Sequence, residues 1–223
     1  REGTKDPRGT IFYNCVEAIK KTMPKIFILE NVQGLLSFNG GSFFKEIMKT
    51  LEDLEVYDIT FLKANTKDFG IPQNRVRVFF IGLAKNLRNT KKFNLTKNLV
   101  TKNILDFVDF SDTTNNSDTM NYVSYTKKKH IFKDSVFVNL LALRVKGDNY
   151  KVNPNVCPTM TTRRLWNELM KRPANIKEHL RLQGFPEDFK VVASDTQFFK
   201  QIGNSMSVPV IQAILKECLE CIQ

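Results

Sequence analysis

At 223 residues the chain is long enough for one sizeable core, or for a core with a small appended module. Hydrophobic residues make up 42% and charged residues 26%, which excludes a disordered or fibrous chain, and no apolar run approaches the ~18 residues of a membrane span. Lys and Arg outnumber Asp and Glu by 34 to 23, a formal charge of +11. Such a surplus fits a polyanionic partner, nucleic acid first, and fits equally a Lys-rich solvated surface. The four cysteines, Cys15, Cys157, Cys218 and Cys221, include one Cys-x-x-Cys pair late in an apolar helical pattern. No second pair or His cluster completes a metal site, so no metal is expected and all four read as reduced structural thiols in a cytosolic setting. The opening Arg1-Glu2-Gly3 carries no secretory signal.

In chain order, Ile11, Phe12, Cys15, Val16 and Ile19 have helical spacing over 11–22, and Pro24 ends that helix. Lys25 to Glu30 holds the continuous run Ile-Phe-Ile-Leu of a buried strand. It stops at Glu30-Asn31, two polar residues at a strand's C-terminal edge, where open α/β sheets bind ligands. Ser42 is placed to cap a second helix with Phe43, Phe44, Ile47, Met48, Leu51 and Leu54 on its inner face. Residues 56–62 and 76–83 read as strands flanking the loop Asp68-Phe69-Gly70-Ile71-Pro72. The polar stretch 84–125 is interrupted by an apolar segment, Ile104 to Phe110, and 131–162 reads as short strands and turns. Helices are expected over 175–184 and in a final element with Val210, Ile211, Ile214, Leu215, Cys218, Leu219 and Ile222 on one face.

Three groupings carry chemistry, each with a plainer alternative. In Gln73-Asn74-Arg75-Val76-Arg77, strand alternation puts Arg75 and Arg77 on one face, roughly 7 Å apart. Two guanidiniums so placed need an anion or carbonyl acceptors between them, unless the strand is simply basic and solvated. Glu30 at a buried strand end is partly withdrawn from water. In a protonated or proton-sharing form it can bond both a ring nitrogen and an exocyclic amine of a base; otherwise it caps a loop. Gly203-Asn204-Ser205-Met206-Ser207 precedes Val208-Pro209, so that Gly203 permits a turn, Ser207 caps, and helix-end N–H groups suit a polar or anionic ligand, or merely start a helix.

Order and spacing decide among these. Asp6-x-Arg8-Gly9-Thr10-Ile11-Phe12, Glu30-Asn31-Val32, Gly70-Ile71-Pro72-Gln73-x-Arg75-x-Arg77, Arg181-Leu182-Gln183-Gly184-Phe185-Pro186 and Gly203-Asn204-Ser205 closely resemble the motif series of the DNA (cytosine-5)-methyltransferases. The likeness runs from residue 5 to about 84 and again from about 171 to 223. It implies an α/β, Rossmann-like methyltransferase sheet: residues 1–84 as the C-terminal half of the catalytic domain, 85–170 as an inserted target recognition domain, and 171–223 as closing helices. It also implies methyl transfer from S-adenosylmethionine to C5 of a flipped cytosine in double-stranded DNA. By the same resemblance Glu30 contacts the cytosine at N3 and the 4-amino group, while Arg75 and Arg77 hold the cytosine carbonyl and the local loop geometry. Ile11 lines the cofactor pocket, with Asn204 and Ser205 beside the cofactor. Pro158-Thr159-Met160-Thr161-Thr162-Arg163 is similar to the segment that closes the recognition domain, which implies that Thr161, Arg163 and Arg164 lie near DNA; the resemblance also assigns Gln73 to DNA binding. Lys127-Lys128-Lys129 suits either phosphate contacts or a solvated run.

The departures are as informative. The family's glycine-rich cofactor loop and its nucleophilic Pro-Cys dipeptide are absent, and none of the four cysteines has that context. The expectation is therefore a part of an enzyme, completed by upstream residues or by a separate subunit. It would sit in the cytoplasm beside the nucleoid in a bacterium, or in the nucleus of a eukaryote. A non-catalytic DNA-binding paralogue and an RNA methyltransferase on the same scaffold are the alternatives. Asn175-Ile176-Lys177-Glu178 stands where the family usually has a Pro, which leaves that helix start open.

Overall fold

The structure, a computed structural model, describes residues 7–97, 102–114, 135–139 and 153–222. The chain divides into two compact units. The first gathers the chain up to Ala64, Val76–Thr96 and the chain from Gln212; the second gathers Asn65–Arg75 and Lys97–Ile211.

In the first unit, helix α1 (Pro7–Thr22) leads to β1 (Ile26–Val32), α2 (Ser42–Glu52), β2 (Tyr57–Asn65) and β4 (Val76–Ala84), with sheet order β1-β4-β2. The strands β1 and β4 are antiparallel, with Phe27 opposite Gly82, Glu30 opposite Phe79 and Val32 opposite Arg77. Alternation then sorts the side chains. Phe27, Leu29, Val78 and Phe80 join Val16, Ile19, Ile47, Leu51 and Tyr57 in one apolar core, so α1 and α2 cover that face. Gly82 has a packing reason: a Cβ there would lie 2.1 Å from the Phe27 ring. On the other face Phe79, Ile81 and Leu83 are buried, and Glu30 and Arg77 stand at its end.

The helix α2 begins differently from the sequence expectation. Ser42 is its first residue; the capping position falls to Gly41 in the left-handed region, φ 84°. The Ser42 hydroxyl instead bonds Asn39, donating to its carbonyl and accepting from its amide.

In the second unit the short β3 (Gln73–Asn74) pairs in parallel with β6 (Cys157–Pro158). The strand β7 (Trp166–Asn167) lies between β5 (Phe137–Val138) and β8 (Arg172–Pro173). Helices α3 (Ile176–Gln183) and α4 (Asp195–Asn204) belong to this unit, whereas α5 (Val208–Glu220) begins in it and from Gln212 belongs to the first. Ile71, Ile104, Phe107, Met160, Leu165 and Leu182 form one core, and Leu180, Phe198, Phe199 and Ile202 a second. The apolar segment expected from Ile104 forms only a 3-10 turn, Ile104–Phe107, capped by the Asn103 side chain. The helix α3 starts without a Pro because Asn175 forms a capping box with Glu178. Among the described residues no helix is long and apolar enough to cross a membrane.

Candidate functional site

The first unit places Glu30 where a buried strand meets solvent. Its long side chain reaches diagonally across the antiparallel pair to Arg77, two positions beyond its direct partner Phe79. Arg77 Nε lies 2.9 Å from Glu30 Oε1, and the two side chains are 16% and 19% exposed. Arg77 Nη1 donates to the Val76 carbonyl at 2.8 Å. Burial lowers the Arg77 pKa from its ordinary value while the Glu30 carboxylate works to restore it. The result is a half-buried pair presenting a carboxylate and guanidinium N–H donors together, a set that matches the edge of a polar heterocycle.

Arg75 goes elsewhere. It belongs to neither β3 nor β4: its N–H donates to the Asn65 side chain and its carbonyl accepts from Thr66. The expected alternation therefore holds for Arg77, Phe79 and Ile81 and fails at Arg75. In the second unit the Arg75 side chain, 2% exposed, donates from Nη1 to the Met160 carbonyl at 2.9 Å and from Nη2 to those of Gly203 at 3.1 Å and Ser205 at 2.7 Å. The carbonyl acceptors expected around these arginines exist: three serve Arg75 and one, of Val76, serves Arg77.

Gln73 is fully buried, and its amide donates to the Leu182 carbonyl at 2.7 Å. That position ties β3 to α3 and faces no solvent. Thr161 is half-buried, whereas Thr162 and Arg163 are exposed. Arg164 lies 4.7 Å over the Phe199 ring and donates to the Ala174 carbonyl. Burial lowers its pKa, with Asp195 acting against that. Lys127, Lys128 and Lys129 lie outside the described residues.

Of the residues assigned to cofactor, Ile11 is 59% exposed on α1. Asn204 is the exposed last residue of α4, and Ser205 is half-buried, its hydroxyl donating to Ile202 and accepting from Gln183. Gly203 lies in the last turn of α4, one residue before its end. A Cβ on it would sit 2.0 Å from the Thr161 carbonyl oxygen, so only glycine allows this backbone contact. Ser207 does not cap α5: its buried hydroxyl has no hydrogen-bond partner among the described residues.

A buried polar cluster was not evident from the sequence. Arg172, 1% exposed, makes a bidentate pair with fully buried Glu178 at 2.9 and 3.0 Å. Glu178 also accepts from Asn167, from the Asp109 N–H and from the Asn175 N–H. Only the Asn-x-x-Glu capping signature could have pointed to it. Cys157 and Cys218 are buried, and burial pushes both thiols up, Cys218 to about 11.

Residues 1–220 match the family model for C-5 cytosine-specific DNA methylase. Type II methyltransferase M1.ScrFI of Lactococcus lactis subsp. cremoris is 34% identical, over 99% of this chain and 58% of its own length. Type II methyltransferase M.SsoII of Shigella sonnei is 32% identical, over 98% of this chain and 59% of its own. The chain thus spans somewhat under three-fifths of these curated relatives' length. The structure assigned to a DNA modification methyltransferase encoded within an E. coli prophage superposes with TM-score 0.69 at 21% identity, covering 97% of this chain and 75% of that one, a likeness of fold.

Proposed function

As this chain belongs to the C-5 cytosine-specific DNA methylase family, we propose that it is part of an enzyme that methylates C5 of a cytosine flipped out of duplex DNA at a specific sequence. The observation carrying this reading is the Glu30–Arg77 pair, 2.9 Å apart at the end of β1 and β4. Glu30 bonds N3 and the 4-amino group of the base, and the Arg77 guanidinium donates to the neighbouring carbonyl. With a proton shared onto N3, the ring accepts a thiolate at C6 and C5 becomes nucleophilic. After methylation the C5 proton leaves and the thiolate is expelled.

That thiolate comes from residues upstream or from a partner subunit. A buried thiol whose pKa is pushed up, as in Cys157 and Cys218, is a poor nucleophile. S-adenosylmethionine supplies the methyl as an electrophilic carbon on a sulfonium. By the family resemblance Ile11, apolar and outward in its unit, and Asn204, exposed in its own, are each assigned to the cofactor. Ser205, already engaged with Ile202 and Gln183, shapes the turn beside it. Residues 85–170 carry target recognition. Arg163 and Arg164 are the exposed arginines offered to DNA there, with half-buried Thr161 beside them.

The test is Glu30→Gln in the complete enzyme, meaning this chain together with the residues or subunit that bring the thiolate. Methyl transfer should fall by roughly 10²–10⁴, the usual weight of a general acid–base group, with DNA binding retained. Undiminished turnover would remove Glu30 from the chemistry.

A further inference from the structure

Arg75 holds three backbone segments that are far apart in sequence. Its guanidinium is buried, and the acceptors of its described bonds are carbonyl oxygens of Met160, Gly203 and Ser205. A buried cation bound by carbonyl dipoles loses much if one of them moves away, so these oxygens keep fixed spacings. Met160 directly precedes Thr161–Arg163, and Gly203 and Ser205 flank Asn204. A second contact makes the connection stiff: the Gly203 backbone abuts the Thr161 and Thr162 backbone so closely that no Cβ fits between them. Gln183 fixes the turn itself to α3, its amide donating to the carbonyls of Ile202 at 3.2 Å and Ser205 at 2.9 Å. No compressible side chain separates the two segments at Gly203, so a shift of one is transmitted to the other.

We infer that Arg75 is a positioning residue that couples the segment Thr161–Arg163 to the turn at Asn204–Ser205, so that DNA bound at the first tightens cofactor binding at the second. This rests on the reading of those segments given above as DNA-facing and cofactor-facing. Coupling of this kind is reciprocal: cofactor bound at Asn204 must tighten DNA binding by the same factor.

The experiment uses the complete enzyme and S-adenosylhomocysteine as the cofactor probe. Its dissociation constant is measured with and without a saturating duplex carrying the enzyme's target, itself read by bisulfite sequencing of DNA the enzyme has methylated. The wild-type ratio should be about fivefold or more, the usual range of coupling between sites. Arg75→Lys keeps the charge but not the fork, and should bring the ratio close to one. Ile104→Val, a core change in the same unit, should lower the melting temperature and leave the ratio alone. A wild-type ratio of one, or an Arg75→Lys enzyme that melts earlier with its ratio intact, overturns the proposal. Should Arg75→Lys fail to fold, amide exchange in the unmutated enzyme decides: the probe alone should slow exchange at Thr161–Arg164, and no slowing there refutes the coupling. Failure of the underlying reading has a separate signature, namely DNA affinity unaffected by Arg163→Ala.

Discussion

Acidification should loosen the second unit through one residue, His179. The ring has no exposed surface. Its Nδ1 lies 2.8 Å from the Asn175 carbonyl, and Nε2 accepts the Leu165 N–H at 3.2 Å. That pair of contacts requires the neutral ring with its proton on Nδ1; a second proton on Nε2 would set two donors against each other. Burial is the largest cause of a pKa lowered from 6.5 to about 4; the Asn175 bond acts against it, and the nearby Arg164 charge adds to it. The folded value lies below the unfolded one. Stability is therefore complete above pH 6.5 and is lost as pH falls through the window from 6.5 to about 4, where only the unfolded chain takes up the proton. At 1.36 kcal/mol per pH unit the gap amounts to about 3 kcal/mol. Urea denaturation of the wild type and of His179→Gln, stepped from about pH 7.5 to 4, measures it. The carboxylates common to both proteins cancel, so the stability difference between them should change by about 3 kcal/mol across the window. A constant difference, or a His179 proton resonance titrating near its ordinary value, would refute the reasoning.

Three further outcomes are expected. Arg172→Met strands the buried Glu178 carboxylate and should cost about 3–5 kcal/mol, read from the urea midpoint. Gly203→Ala drives a methyl into the Thr161 carbonyl and should cost about 1–3 kcal/mol, as overpacking does, seen as an earlier melting transition. Arg163→Ala, at an exposed position, should leave stability unchanged. In the complete enzyme it should reduce the slope of log affinity for duplex DNA against log salt by roughly 0.9 for one lost phosphate contact.

How far the sequence could be read follows from what each feature depends on. The strand β1 was legible because Ile-Phe-Ile-Leu is a local pattern, and α2 because its apolar residues recur at helical spacing around Ile47 and Leu51. Glu30 and Arg77 were legible as candidates because strand alternation, applied to β4, places Arg77 with Phe79 and Ile81. The rule failed at Arg75, where Asn65 and Thr66 capture its backbone and break β3 from β4; nothing near Arg75 in sequence announces a partner ten residues upstream. The helix α4 was missed for a related reason. Its apolar positions, Phe198, Phe199 and Ile202, are few, and Gly203-Asn204 reads as a turn until Thr161 is seen to require a glycine there. The Arg172–Glu178 pair shows the limit most plainly. Charges in a sequence default to a solvated face. Only the fold reveals that Asn167, Asp109 and Asn175 converge on one carboxylate and make its burial tolerable. Periodicity thus locates the elements and the residues that alternate along them. Where a side chain is held by backbone far away, as Arg75 and Glu178 are, chemistry must be read from the folded chain.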